Sequence, residues 1–262
     1  MRKYALEKED EAARLEKMSD LPTYQISEEI VGFPIQAGQR VLDAGCGSGV
    51  VARYLAKTFP GIQAEGCDLP ARIEQIRDLP QNRGRKDVSF FPSPVEKIQQ
   101  PDGTYDRILC RYVFEFLEDP SRAVSEFLRV LKPGGRLLVI QFDGFLYNYE
   151  QKNPELRAMM ETLKAKFPFD MYLGRKVPGL LKQAGFSKIE WDVQAHGIRG
   201  DRVEGEREHM YARFSNATEW YARALGSIEK AHRFRDLYCD EMDDPGNVLF
   251  YNKFLIRGTK PV

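Results

Sequence analysis

From residue 39 onward, short apolar runs alternate with stretches whose apolar residues recur every three or four positions. The runs at 40–43, 62–67, 88–91, 105–110 and 136–142 are too short for helices and read as strands. Between most of them the spacing is helical. Val50, Val51, Tyr54 and Leu55 recur after Gly49 until Pro60-Gly61 stops the run. Ala123, Val124, Phe127, Leu128 and Leu131 recur after Asp119-Pro120, and Lys132-Pro133-Gly134-Gly135 ends that run before the next strand. Such alternation predicts an α/β fold with a parallel sheet covered on both faces.

The flanks have a different pattern. Residues 5–18 and 24–33 read as helices divided by Leu21-Pro22-Thr23, and residues 153–166 and 175–184 as two more. Ala184-Gly185-Phe186 closes the latter before a strand at 187–194, and the last strand runs from 248 to 257. Between these strands lie about 50 residues, polar, aromatic and mostly helical in pattern, too many for a simple loop. Three parts are therefore expected. Residues 1–34 form an N-terminal helical flank or lid, residues 35–195 with 247–262 form the α/β domain, and residues 196–246 are a helical insertion placed as a substrate-side cap. Within the insertion His209, Met210, Tyr211, Phe214, Trp220, Tyr221 and Leu225 include positions at helical spacing. That stripe can pack on the sheet, contact an acceptor or partner, or do both.

Composition narrows the class. Hydrophobic residues at 42% and charged residues at 30% are those of a packed globular chain. With 39 basic and 39 acidic side chains the formal net charge is zero, so no global field favours a nucleic acid or an anionic lipid. No apolar stretch approaches the roughly 20 residues that span a bilayer, and the charged start MRKYALEKED lacks a signal peptide's apolar core. A cytoplasmic monomer or homodimer is expected. Cys46, Cys67, Cys110 and Cys239 show no CxxC spacing and read as reduced thiols, three of them in or beside strands. His196, His209 and His232 lack zinc-ligand spacing, so no metal is expected, and His209 and His232 sit on charged helical stretches as solvated residues.

The most specific chemistry lies in VLDAGCGSG, residues 41–49. Val41 and Leu42 finish a buried strand, and Gly45, Gly47 and Gly49 occupy alternate positions as the chain turns into a helix. Missing side chains let a ligand approach the main chain closely. The spacing G-x-G-x-G differs from the dinucleotide fingerprint G-x-G-x-x-G, and Asp43 before it suits a ligand with a cationic amino acid end better than a pyrophosphate. A nicotinamide dehydrogenase is thereby disfavoured. About 19 residues after Gly49, Gly66-Cys67-Asp68 ends the second strand, where a carboxylate can accept both hydroxyls of a ribose.

Together with Pro101-Asp102-Gly103-Thr104-Tyr105-Asp106 and Leu131-Lys132-Pro133-Gly134-Gly135-Arg136, these runs resemble the class I S-adenosylmethionine-dependent methyltransferase family, of small-molecule type. The likeness is detailed over about residues 35–145 and looser beyond. It implies a Rossmann-like, doubly wound, seven-stranded sheet whose last strand is antiparallel, with S-adenosyl-L-methionine as cofactor. By the same resemblance Asp43, Gly45, Cys46, Gly47 and Gly49 line the methionine end, Asp68 the ribose, and Leu69 the adenine. Cys110-Arg111-Tyr112 falls where the family's backbone meets the methionine portion, which makes Cys110 and Arg111 cofactor-proximal. Two departures stand out. Where relatives carry an acid for the adenine amino group and then a leucine, this chain has Pro94 and Ile98, so adenine falls to main-chain groups, Ser93, or Val95 and Glu96. Where many relatives carry Glu-His, it has Glu115-Phe116.

Methyl transfer from a sulfonium needs alignment and exclusion of water, and a base only when the acceptor must lose a proton. The acceptor is expected beyond the C-terminal strand ends, among Gln141, Phe142, Asp143, Phe145, Tyr147 and Tyr149, with Phe167, Phe169 and Tyr172 nearby. Phe142, Tyr147 and Tyr172 are the substrate-binding candidates, and Asp143 and His196 the candidate catalytic residues. A small or medium organic acceptor methylated at O, N or C fits this partly apolar set. The alternatives are a catalytically silent module that binds the same cofactor, and a protein acceptor.

Overall fold

The computed structural model describes residues 11–166 and 170–262. The residues before Glu11, and with them the start of the expected first helix, lie outside the described residues, as do Phe167 and Phe169. In chain order the elements are α1 (Glu11–Asp20), α2 (Ile26–Glu29), β1 (Arg40–Ala44), α3 (Val50–Thr58), β2 (Gln63–Asp68), α4 (Pro70–Arg77), β3 (Val88–Pro92) and β4 (Tyr105–Arg111). There follow α5 (Pro120–Val130), β5 (Leu131–Asp143), α6 (Pro154–Lys166), α7 (Val177–Ala184), β6 (Ser187–Ile198), α8 (Arg202–Asn216), α9 (Thr218–Leu225), α10 (Ile228–Met242) and β7 (Leu249–Thr259).

The seven strands form one sheet in the order β3-β2-β1-β4-β5-β7-β6. Pairing is parallel from β3 through β5, and β7 runs antiparallel to both β5 and β6. The sheet is thus Rossmann-like and doubly wound, as expected. Strand order reverses between β1 and β4, which opens a crevice at their C-terminal ends where ligands of open α/β sheets bind.

One face of the sheet packs Leu42, Ile108 and Leu137 under Phe127 of α5 and Leu181 of α7. The other packs Val41, Leu109 and Leu138 against Ile26 and Phe33 of the N-terminal segment and Leu55 of α3. Both faces are buried because the strands carry apolar residues at consecutive positions, as parallel strands do. A third cluster joins α6 and the helices α8 to α10 to the end of β5, through Phe142, Leu156, Phe214, Phe234 and Tyr238.

Some boundaries differ from the expected ones. The helix expected over 24–33 is reduced to a single tight turn, Pro22–Tyr24, and the short α2, because Gly32 takes a positive φ of 76° and Pro34 follows. The strand expected at 136 starts at Leu131, which already pairs with Tyr105 across an irregularity in register. β6 continues to Ile198, three residues into the region expected to be insertion. All four cysteines are free and buried. Among the described residues no helix is long and apolar enough to cross a membrane.

Candidate functional site

A cavity of about 810 Å³ opens at the β1/β4 crevice. Its near end is built by the glycine turn. Gly45 N–H and Cys46 N–H both donate to the Cys67 carbonyl, at 2.8 and 3.0 Å, so the turn leaving β1 folds over the end of β2. Gly45 has φ of 76°, and a Cβ there would lie 2.4 Å from Val113 Cγ2. Gly49 has φ of 84°, and its Cβ would meet Phe90 Cζ at 2.5 Å. Any side chain at either position meets both backbone strain and a collision.

Two carboxylates face this turn. Asp68 accepts from Gly47 N–H and Leu69 N–H, each at 2.8 Å. Burial raises its carboxyl above the usual range, and those two N–H groups oppose the rise. Asp43, 1% exposed, accepts from Ala52 N–H at 3.1 Å in the first turn of α3. Burial pushes it up to about 7 against that hydrogen bond and the charge of Arg111. Ser48 Oγ in the turn is buried and has no hydrogen-bond partner among the described residues.

Next along the cavity come Leu69, Ser93, Pro94, Val95 and Glu96. Ser93 N–H donates to the Asp68 carbonyl at 2.8 Å, and Ser93 Oγ accepts from Gln99 N–H at 2.8 Å. Glu96 Oε1 accepts from Glu118 N–H and Asp119 N–H at 3.1 and 3.2 Å, tying the loop after β3 to the start of α5.

The far lobe is assembled from side chains. Tyr112, which follows β4, has a φ of 56° although it carries a side chain. Its ring stacks on Phe142 with centroids 4.3 Å apart and planes 3° from parallel. Tyr24 meets both rings edge-on, at 5.8 and 5.7 Å. Beneath them Glu29 binds Arg111 Nε at 2.6 Å, Lys253 Nζ at 2.8 Å and Tyr112 Oη at 2.6 Å. Burial pushes the Glu29 carboxyl up, but Arg111 and Lys253 outweigh it and hold the group below its usual value. Arg14, Phe145, His209, Arg213 and Trp220 complete the lobe.

Of the candidates, Asp43, Gly45, Cys46, Gly47, Asp68, Leu69, Val95, Glu96, Arg111 and Phe142 line this one cavity. Gly49 and Cys110 do not line it: Gly49 caps α3 beneath the turn, and Cys110 is wholly buried in the core under α5. The structure moves four others elsewhere. Asp143 follows Phe142 directly on β5, and neighbouring strand residues face opposite sides. Its carboxylate is held by Arg175 Nε at 3.0 and 3.1 Å. Tyr147 and Tyr172 stack on each other with centroids 6.0 Å apart. With Asp143 they line a separate hollow of about 120 Å³. His196 sits half-buried on β6 at the sheet edge, its Nε2 3.5 Å from Gln194 Oε1, two strands beyond β5.

His209 also departs from expectation. It is 7% exposed, not solvated, and its ring nitrogens lie 3.1 and 3.3 Å from Arg14 Nη1. Arg14, Tyr24, Glu29 and Arg213 also build the far lobe and were not site candidates from the sequence, whereas Tyr112 stood in the run ending β4 and His209 in the insertion stripe offered for an acceptor. The one available signal was the four-residue spacing of His209 and Arg213, which places both on the helix face of Met210 and Phe214.

Residues 42–139 match the profile of the methyltransferase domain family. A demethylmenaquinone methyltransferase of Thermus thermophilus is 33% identical over 108 residues, 41% of this chain and 49% of that protein. A ubiquinone/menaquinone biosynthesis C-methyltransferase of Bdellovibrio bacteriovorus is 28% identical over 62% of this chain and 76% of that protein. The chain spans about half the length of the first of these relatives. The phosphoethanolamine N-methyltransferase 2 of Haemonchus contortus, solved with S-adenosyl-L-methionine, shares the fold. Its TM-score is 0.63 at 16% identity, over 97% of this chain and 58% of that one.

Proposed function

We propose, for a chain whose residues 42–139 belong to the class I S-adenosylmethionine-dependent methyltransferase family, that it transfers a methyl group to an O, N or C atom of a small or medium organic acceptor. One observation carries this reading: a single cavity joins the glycine turn and Asp68 to an aromatic lobe. At about 810 Å³ it is at the upper end of the roughly 300–1,000 Å³ of small-molecule sites.

The donor set fits the family's cofactor, which when bound supplies a methyl group on a sulfonium with a good leaving group. Asp68 keeps lone pairs beyond the two used by Gly47 and Leu69, enough to accept two ribose hydroxyls. Leu69 and Val95 offer apolar contact to an adenine, and main-chain groups around Ser93 and Pro94 replace the acid that many relatives use. Asp43 and the unpartnered Ser48 Oγ stand at the turn for the amino acid end. Asp143, His196, Tyr147 and Tyr172 take no part, since they lie outside the cavity. Tyr24, Tyr112, Phe142 and Phe145 hold the acceptor and exclude water, which is most of what an in-line displacement requires. Helices α8 to α10 act as the substrate-side cap, contributing His209, Arg213 and Trp220 to the lobe.

Calorimetric titration of the protein with S-adenosylmethionine tests the reading. Wild type should bind, and Asp68→Ala should bind at least about tenfold more weakly, the scale of a lost charged hydrogen bond. Wild-type protein that gives no heat at millimolar cofactor defeats the proposal.

A further inference from the structure

Three arginines reach the acceptor lobe, and their nitrogens are not equally engaged. Arg14 gives Nε and Nη2 to Glu11 and sets Nη1 3.1 Å from His209 Nε2, so each of its nitrogens has a partner. Arg111 binds Glu29 and the Tyr24 carbonyl beneath the aromatic wall, and its charge acts on Asp43 at the glycine end. Arg213, on α8, makes one hydrogen bond among the described residues: Nη2 donates to Glu115 Oε1 at 2.9 Å. Its Nε and Nη1 have no partner there, yet neither is among the buried polar atoms left unpaired. Both are therefore open, on a side chain 16% exposed that lines the cavity.

Glu115 does not use up this guanidinium. It meets Arg213 through a single oxygen, and its other oxygen accepts from Gln141 Nε2 at 3.1 Å. A guanidinium carries five N–H donors and can serve a second carboxylate along another edge. The electrostatics agree. After burial, the charges of Arg14 and Arg213 hold the His209 imidazole well below its ordinary value, so positive charge prevails at His209 with Glu11 and Glu115 in place. The surroundings of the open donors are apolar. The guanidinium carbon of Arg213 lies 4.3 Å from the ring centre of Phe145 and 5.7 Å from that of Phe116, and both rings line the cavity together with Leu117 and Trp220. An apolar wall with one open cation selects a ligand made of the same two parts.

We propose that the acceptor is an organic acid, an apolar body bearing one carboxylate, and that Arg213 receives the carboxylate on its open N–H groups beside Phe116 and Phe145. This rests on the methyltransferase reading and adds to it the acceptor's class and the residue that selects it. A charge-assisted bond to an open N–H offsets the desolvation of the incoming anion, whereas a neutral amide of the same shape gains no such bond. The carboxylate is a handle on the α8 side, and its attachment sets how the body extends toward the glycine end.

The test is calorimetry on the whole chain saturated with S-adenosylhomocysteine, comparing 2-naphthoate with 2-naphthamide and octanoate with octanamide. At least one acid should bind, and about tenfold or more tightly than its amide, the scale of a charged hydrogen bond. Glu115→Gln frees Arg213 of its competing anion, and should tighten the acid about threefold or more while leaving the amide unchanged. An arginine held only for packing would give no such gain. Arg213→Met combined with Glu115→Gln removes both charges together and should bring the acid down to the level of its amide. Neither acid binding to the loaded protein, an amide that binds as tightly as its acid, or an acid preference that survives the double variant would each overturn the proposal. Should the double variant not fold, Glu115→Gln decides: an acid affinity no higher than that of wild type overturns the role of Arg213. Failure of wild type to bind S-adenosylhomocysteine at all would instead strike the methyltransferase reading.

Discussion

The two ends of the cavity are made by different means. At the glycine end, one strand-turn-helix unit and the following strand supply nearly everything. Main-chain N–H groups meet Asp43 and Asp68, and Gly45 and Gly49 leave room that any Cβ would fill. At the acceptor end the main chain does little. Side chains converge there from the N-terminal segment, the ends of β4 and β5, and α8, so that Arg14 and His209 touch although 195 positions apart. The glycine end is thus a fixed shape with few permitted substitutions. The other end is a set of charge and ring pairs drawn from separate elements, so its chemistry is set apart from the shape of the turn.

The largest expected effect lies at the acceptor end. Glu29→Gln leaves Arg111 and Lys253 buried without their shared counter-charge, and should destabilise the protein by about 3–5 kcal/mol, read as a lowered denaturant midpoint. A loss under about 1 kcal/mol would mean that the N-terminal segment is not fastened through this carboxylate. At the glycine end, Gly45→Ala should cost roughly 2–4 kcal/mol, from the left-handed backbone angle and the contact with Val113. The two substitutions should also part company in function. Gly45→Ala should weaken S-adenosylmethionine binding more than its stability loss alone would, because Val113 is displaced into the cavity. Equal cofactor affinity in Gly45→Ala and wild type would remove the distinction between a shaped end and a paired end.

This difference in construction explains what could be seen in the sequence. The alternation of strands and helices, the glycine turn and Asp68 are written in short spans, because each is set by local spacing and by backbone angles that only glycine takes readily. The far lobe is written across the chain. In α8, Glu206, His209 and Met210 are buried and Arg213 half-buried on one face, but three of the four are polar, and such residues are rarely buried unless paired, which is why His209 reads as solvated. Their partners, Tyr24, Arg14 and Glu115, lie on other elements and are invisible to helical spacing. The aromatic run after β5 was visible, yet its division was not. Phe142 and Phe145 turn to the cavity, while Tyr147 stacks on Tyr172 and Tyr149 Oη donates to the Tyr238 carbonyl at 2.8 Å.

The smallest effect expected is a proton count at the glycine end. Burial pushes the Asp43 carboxyl up to about 7, so between about pH 4 and 7 the folded protein holds a proton here that the unfolded chain has lost. This contribution therefore favours folding at low pH and fades as pH rises through that window. A cationic amino acid end at the turn requires the ionised carboxylate, so binding S-adenosylmethionine must drive the proton off when the pH is below 7. Affinity should then rise by at most about tenfold per pH unit below pH 7 and level off above it. Titrations at pH 6 in two buffers of different ionisation enthalpy should show close to one proton released, and at pH 8 almost none. Glu206, also pushed up to about 7 by burial, lies outside the cavity lining and should be insensitive to the cofactor. Asp43→Asn separates the two: it should abolish the proton release while leaving the Glu206 contribution to stability in place. Proton release that persists in Asp43→Asn would assign it to another group and take Asp43 out of contact with the ligand's charged end.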